Sequence, residues 1–404
     1  MIRIKEFGDF ELKKFYQSIF SENEINTGRQ FEFDMAKAMI LLCLPFIHLV
    51  IQLCSDASLE GGLPYLFDTI IGGPLAAPVF MFAMGFGMNY ARKRIPRHYV
   101  RHAIGIGIAG LILNVFRFLI PLLIGYFTTK NYDYYLEPLP GRMLTSDIFQ
   151  FAFFALIIIA TFIKFNVSKK VMVLVGVVSL IIGNIPVLIG QPANDIDTGN
   201  YVLNMLLGYF IPTEDHTRTI FSDFPVFSWL IMPICGYVFG SLLLNMKNKD
   251  KFYGIFSPIC LVASIVYFYF GIKFEHGMFG EGQNCYYHIR IEDALICIVA
   301  AIAVLGIYHF SGKILPERIK GWIEILSKAL TPFYCIHWVF VIVISQLFLF
   351  NFGAPHGDFS KVGKVDFVSI GWVMFIGVCI DIVGIAIAVY WKKYRARKIF
   401  EFDK

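Results

Sequence analysis

Charge is scarce in this chain: Asp, Glu, Lys and Arg make up 16% of its 404 residues, against about a quarter in soluble domains. With 57% hydrophobic residues, that shortage excludes an ordinary water-soluble fold. No P-loop, dinucleotide glycine motif, HExxH or GxSxG elbow occurs, so nothing points to nucleotide binding of those kinds, zinc proteolysis or serine-elbow hydrolysis. The eight cysteines form no CxxC pair and no metal-ligand spacing. Seven of them (Cys43, Cys54, Cys235, Cys260, Cys297, Cys335, Cys379) fall in or beside apolar runs, where thiols act as small hydrophobes, and no metal is expected. The opening stretch MIRIKEFGDFELKKFYQ lacks the basic, apolar, then small-residue order of a cleavable signal. The first span therefore serves as the insertion signal. A net charge of +5 calls for no nucleic-acid partner, because the basic residues lie in short loops between apolar runs.

What the sequence does have is a succession of apolar segments about 20 residues long, the length needed to cross ~30 Å of hydrocarbon. The expected fold is an all-α polytopic bundle in the bilayer. Ten crossings are read at 35–54, 69–90, 101–124, 148–165, 170–190, 226–245, 254–273, 291–310, 326–350 and 368–391. The run 201–211 is too short to cross and reads as a re-entrant or interfacial piece. Alternating the loops puts 27 of the 35 Lys and Arg on the side of the termini and 7 on the other, with Arg117 inside a span. This split predicts a plasma-membrane protein with both termini in the cytoplasm. Three regions follow: a cytoplasmic segment 1–30, a membrane domain 31–391 and a basic tail 392–404. In the first, Phe7, Phe10, Phe15, Ile19 and Phe20 alternate with charge, which suits either a surface-lying amphipathic helix or a disordered tail.

Titratable groups at membrane depth are costly and mark functional sites by default. His48 stands about 20 Å into the first span, and Lys37 precedes it by eleven residues, on nearly the same face and ~16 Å away. Asp34, three residues before Lys37, is placed to pair with it. The bland reading is a core histidine bonded to a neighbouring helix and a snorkelling lysine. Arg117 lies toward the outer end of the third span, Asp147 and Gln150 open the fourth, and His337 is near the middle of the ninth. One cluster can hold Arg117, Asp147, His48 and His337. Asp381 interrupts the tenth span as a packing counter-ion or a direct participant. The loop ARKRIPRHYVR, with Arg94, Arg97 and Arg101, is a strong positive-inside loop or an anion clamp. The second span, rich in Gly, Ala and Met, permits close helix approach or leaves room for a slender acyl chain.

Several of these stretches resemble a family. Lys37 and His48 resemble the Arg-x10-His signature of integral-membrane acyltransferases, which include type-three acyltransferases of envelope glycans and the heparan-α-glucosaminide N-acetyltransferase branch. GPLAAPVFMFAMGFGMNYARKR, SDIFQFAFFAL, FPVFSWLIMPICGYVFGSLL and LTPFYCIHWVF are similar to successive spans of that family, over roughly residues 30–350. Two departures stand out. Lysine replaces the signature arginine and loses its bidentate fork, and the loop SDASLEGGLPYLFD lacks the outer histidine of the N-acetyltransferase branch.

The resemblance implies an enzyme that moves an acyl group, chiefly acetyl, from cytoplasmic acyl-CoA to a hydroxyl or amine of a glycan or other envelope acceptor. Lys37, Arg94, Arg97 and Arg101 would hold the donor phosphates. His48, His337 and Asp147 would carry the chemistry, and Arg117 and Gln150 would orient the acceptor. The runner-up is a transporter or flippase for a small anion or lipid-linked sugar. The residues leave the acceptor, the acyl length and the oligomeric state open, a homodimer among the options.

Overall fold

In a computed structural model the protein is described at residues 13–189, 196–213, 222–280, 283–353, 365 and 367–402. Among these residues there is no strand, and ten helices follow the ten expected crossings. Eight are long and apolar enough to cross a membrane: α1 (Phe31–Leu53), α2 (Gly62–Asn89), α3 (Pro96–Thr129), α6 (Val226–Leu244), α7 (Lys249–Lys273), α8 (Ile291–Ile314), α9 (Glu317–Phe352) and α10 (Ile370–Tyr394). The fourth and fifth expected crossings are shorter helices, α4 (Ile148–Lys164) and α5 (Lys169–Gly183), of 17 and 15 residues. At 1.5 Å per residue they span only about 25 and 22 Å. The run around 201–211 becomes a seven-residue helix, Tyr201–Leu207, lying beside the start of α6. There the Tyr209 and Phe210 carbonyls accept hydrogen bonds from Val226 and Phe227.

α1, α2 and α6 form the interior, while α3, α7 and α10 lie at the periphery. The row Ile259, Val262, Val266 and Phe270 on α7 is exposed, as helical spacing requires of a lipid-facing stripe. α2 and α6 cross backbone to backbone. A Cβ on Gly85 would stand 1.8 Å from the Pro233 carbonyl oxygen, and one on Gly236 would stand 2.0 Å from that of Phe82. Small residues in the second span therefore serve close approach at this crossing. Farther along α2, Gly73 faces open space on a cavity wall.

The two ends of the bundle differ. At the basic end, residues 13–19 are helical, with Ile19 buried and Phe15 and Tyr16 exposed. The strand-like continuation is strapped to the α6–α7 turn: Ser21 donates to Asn245 at 2.7 Å and Lys247 donates to Ile19 at 2.8 Å. The expected positions Phe7 and Phe10 lie outside the described residues. At the far end, loops before α4, α6 and α8 fold over the bundle and help close a cavity.

Both helices nearest that cavity carry π-helical turns, Leu66–Ala76 in α2 and Val115–Leu119 in α3. Such turns re-aim side chains and cluster at functional sites.

Candidate active site

The cavity, about 560 Å³, opens between α1, α2, α3, α4 and α9 in the half of the bundle toward the far end. On α1 its wall is Ile40, Leu44, Ile47, His48 and Ile51, a single helical face. The apolar run of α1 thus supplies the greasy length of the wall, and His48 is its one titratable group.

His48 is backed by two rings from α9. The Trp338 indole lies 4.1 Å from the imidazole, centroid to centroid, and the His337 ring is stacked at 5.2 Å. On the other side of Trp338, the Arg117 guanidinium sits 4.1 Å over the indole, a cation–π contact strengthened by desolvation. Arg117 is presented by the π turn of α3 and donates through Nη1 to Asp147 Oδ2. Asp147 caps α4, accepting from the Ile148 amide at 2.6 Å, where the helix dipole also favours a carboxylate. Tyr334 donates to the same carboxylate at 3.4 Å. The order Asp147, Arg117, Trp338, His48, His337 is therefore a continuous stack built from α4, α3, α9 and α1.

His337 is wholly buried and does not reach the cavity wall. Its Nδ1 is 3.2 Å from the Phe333 carbonyl oxygen. A carbonyl only accepts, so Nδ1 carries the proton and Nε2 holds a lone pair, and Nε2 has no hydrogen-bond partner among the described residues. Gln150 is likewise off the wall: its amide packs on Gly110 of α3, and both polar atoms lack a partner among the described residues. The arrangement brings together His48, Arg117 and Asp147, with His337 directly behind, and sets Gln150 aside.

The donor-side residues lie elsewhere. Arg94 is engaged with Glu24 at 3.0 Å, while Arg97 and Arg101 are exposed on the first turns of α3. Lys37 is half-buried at the basic end of α1, three residues before the cavity wall begins at Ile40. The pairing of Asp34 with Lys37 does not form. Arg29 instead chelates Asp34 at 2.7 and 2.9 Å, and Ser327 donates to it at 2.7 Å. An arginine fork outcompetes a single ammonium for a carboxylate. Asp381, buried in α10, has an Oδ1 with no partner among the described residues and stands outside the cavity.

Sequence reading missed Asp68, Arg142, Asp223, Tyr286, Tyr287 and Trp338, all on the wall. Asp223 is pinned by the backbone, its amide donating to the Ser146 carbonyl at 3.1 Å. Burial pushes its carboxyl up to about 7, the Asp147 charge adds to that, and Arg117, Arg142 and His288 oppose it. Burial and the Asp223 and Asp147 charges likewise hold the Tyr287 phenol protonated. The available cue was position: Arg142 and Asp223 both fall a few residues before a span, where a loop folds back over the bundle.

A bundle of this kind, with one histidine on the wall of a cavity reached along an apolar helix face, suits transfer of a group carried on a thin chain. Residues 31–391 match a family described as an acyltransferase domain. No curated protein and no solved structure matches the chain. Because that match takes in nearly all of the described helices, the chain belongs to the type-three family of integral-membrane acyltransferases.

Proposed function

We propose that this acyltransferase moves an acetyl or similar acyl group from cytoplasmic acyl-CoA to a hydroxyl or amine of an envelope glycan or related acceptor on the outer side of the plasma membrane. The observation that carries this reading is the place of His48, on the cavity wall about two-thirds of the way along α1 from the basic end. The donor phosphates stay at the basic end, and the pantetheine arm runs along the Ile40, Leu44, Ile47 face, ~16 Å from Lys37 to His48.

His48 takes the proton of the acceptor O–H or N–H as that atom attacks the thioester carbonyl. The new C–O or C–N bond forms, and the carbonyl oxygen becomes an oxyanion. Arg117 is the cation nearest to offset that charge in a site of low dielectric. Collapse breaks the C–S bond, and the leaving thiolate takes the proton back from the His48 imidazolium. Asp147 holds Arg117 in place. Trp338 separates guanidinium from imidazole, so that the positive charge does not suppress the base.

The test is His48→Ala in purified, membrane-inserted protein. General-base loss costs roughly 10²–10⁴-fold in rate, so acetyl transfer should fall by at least that range while melting temperature stays near wild type. Undiminished transfer in that variant rules out the proposed chemistry.

A further inference from the structure

Three helices and the segment before α1 bring four cations together at the basic end. Arg29 binds Asp34 and reaches Glu324 at 3.6 Å. Lys328 of α9 pairs with the same Glu324. Lys392 of α10 lies close enough to Lys328, Lys37 and Arg29 to be repelled by all three. Two carboxylates thus face four cations. Asp34 is already saturated by Arg29 and Ser327, and Lys37 and Lys392 make no hydrogen bond or ion pair among the described residues.

Like charges a few ångströms apart cost about 1 kcal/mol per pair in bulk water and several times that at a protein surface. The orientation rule for membrane proteins asks only that basic residues lie on one side. It does not ask three helices to deliver them to one spot. An anion at the junction offsets that repulsion, and ammonium groups on flexible stems suit a phosphate as point charges. The junction also has a direction. The face of α1 that lines the cavity begins at Ile40, one turn beyond Lys37, so a ligand held here points its remainder at the cavity.

We infer that the meeting point of α1, α9 and α10 is a phosphate-binding site, in which Lys37, Lys328 and Lys392, with Arg29 behind them, hold a phosphate monoester or diphosphate. Assigning that phosphate to the acyl donor rests on the function proposed above. The headgroup of an anionic lipid carries the same chemistry, and the junction is flanked by the exposed Trp391 and Tyr394.

The experiment uses the full chain in detergent and titrates 3′,5′-ADP, the phosphate-bearing portion of a CoA donor, by calorimetry. Binding should weaken about tenfold per lysine removed in Lys328→Gln and Lys392→Gln, and further in the double variant. Lys164→Gln, at the same end but outside the junction, should bind as wild type does. A second arm compares nanodiscs of phosphatidylcholine with nanodiscs containing phosphatidylglycerol. If the glycerol lipid raises the melting temperature of wild type but not of the double variant, while 3′,5′-ADP binding is unaffected, the site is a lipid site. If neither ligand depends on Lys328 and Lys392 in folded protein, the inference is overturned. Phosphate binding through these lysines in a protein without acyl transfer would count against the proposed function and leave the site standing.

Discussion

Arg117 and His48 occupy two faces of one indole, each 4.1 Å from it. A guanidinium in direct contact with an imidazole would raise the cost of protonating it, whereas the intervening ring lets both line one cavity. Removing the ring should therefore cost more than reshaping it: Trp338→Ala is expected to lower kcat by at least tenfold, and Trp338→Phe by severalfold less, in a steady-state transfer assay. Asp223 supplies a second expectation at this scale. Its carboxyl is pushed up to about 7, while an unfolded aspartate titrates near 4. Between those values the folded state binds more protons than the unfolded one, so this group's contribution to stability is present at about pH 4 and is lost as the pH rises to about 7. Thermal melts of Asp223→Asn should show less loss of stability than wild type across that interval; parallel curves would refute the assignment. His48, Arg117 and Asp147 were legible in the sequence because a titratable group inside or capping an apolar run is conspicuous. Asp68, Asp223 and Arg142 were not, because charge near a loop is ordinary until folding turns the loop inward.

Helices were the most legible elements, since each apolar run announces its own length. What the runs conceal is how closely two of them approach. Gly85 and Gly87 look equivalent in FMFAMGFGMNY. A Cβ at Gly85 would collide with the α6 backbone at 1.8 Å, and one at Gly87 meets nothing within 4 Å. Gly85→Ala should therefore lower the melting temperature sharply or prevent folding. Gly87→Ala should be tolerated or stabilising, since alanine is preferred over glycine inside a helix by ~1 kcal/mol. The π turns at Leu66–Ala76 and Val115–Leu119 were also invisible, because a single extra residue per turn barely disturbs hydrophobic periodicity. They matter here because the second one aims Arg117 at Trp338.

For the whole molecule, the even number of helices and the uneven Lys/Arg distribution place both termini on one side. A green fluorescent protein fused to the C-terminus should fluoresce, and alkaline phosphatase fused there should be inactive, in a host where only the cytoplasm supports the first and only the exterior the second. The opposite pair of results would invert the topology and the direction of transfer with it. Domain-level order was readable from composition. The strapping of residues 20–26 against the α6–α7 turn was not, since it is made by backbone groups that every sequence has.

The brevity of α4 and α5 reaches beyond the protein. α5 turns Leu174, Val178 and Ile181 outward along a helix of 15 residues, about 22 Å long, where lipid tails occupy ~30 Å. Neighbouring lipids must compress or tilt to meet it. The chain therefore carries a dimple in the membrane along one flank, and a lipid-borne molecule arriving on that side crosses less hydrocarbon than anywhere else around the bundle.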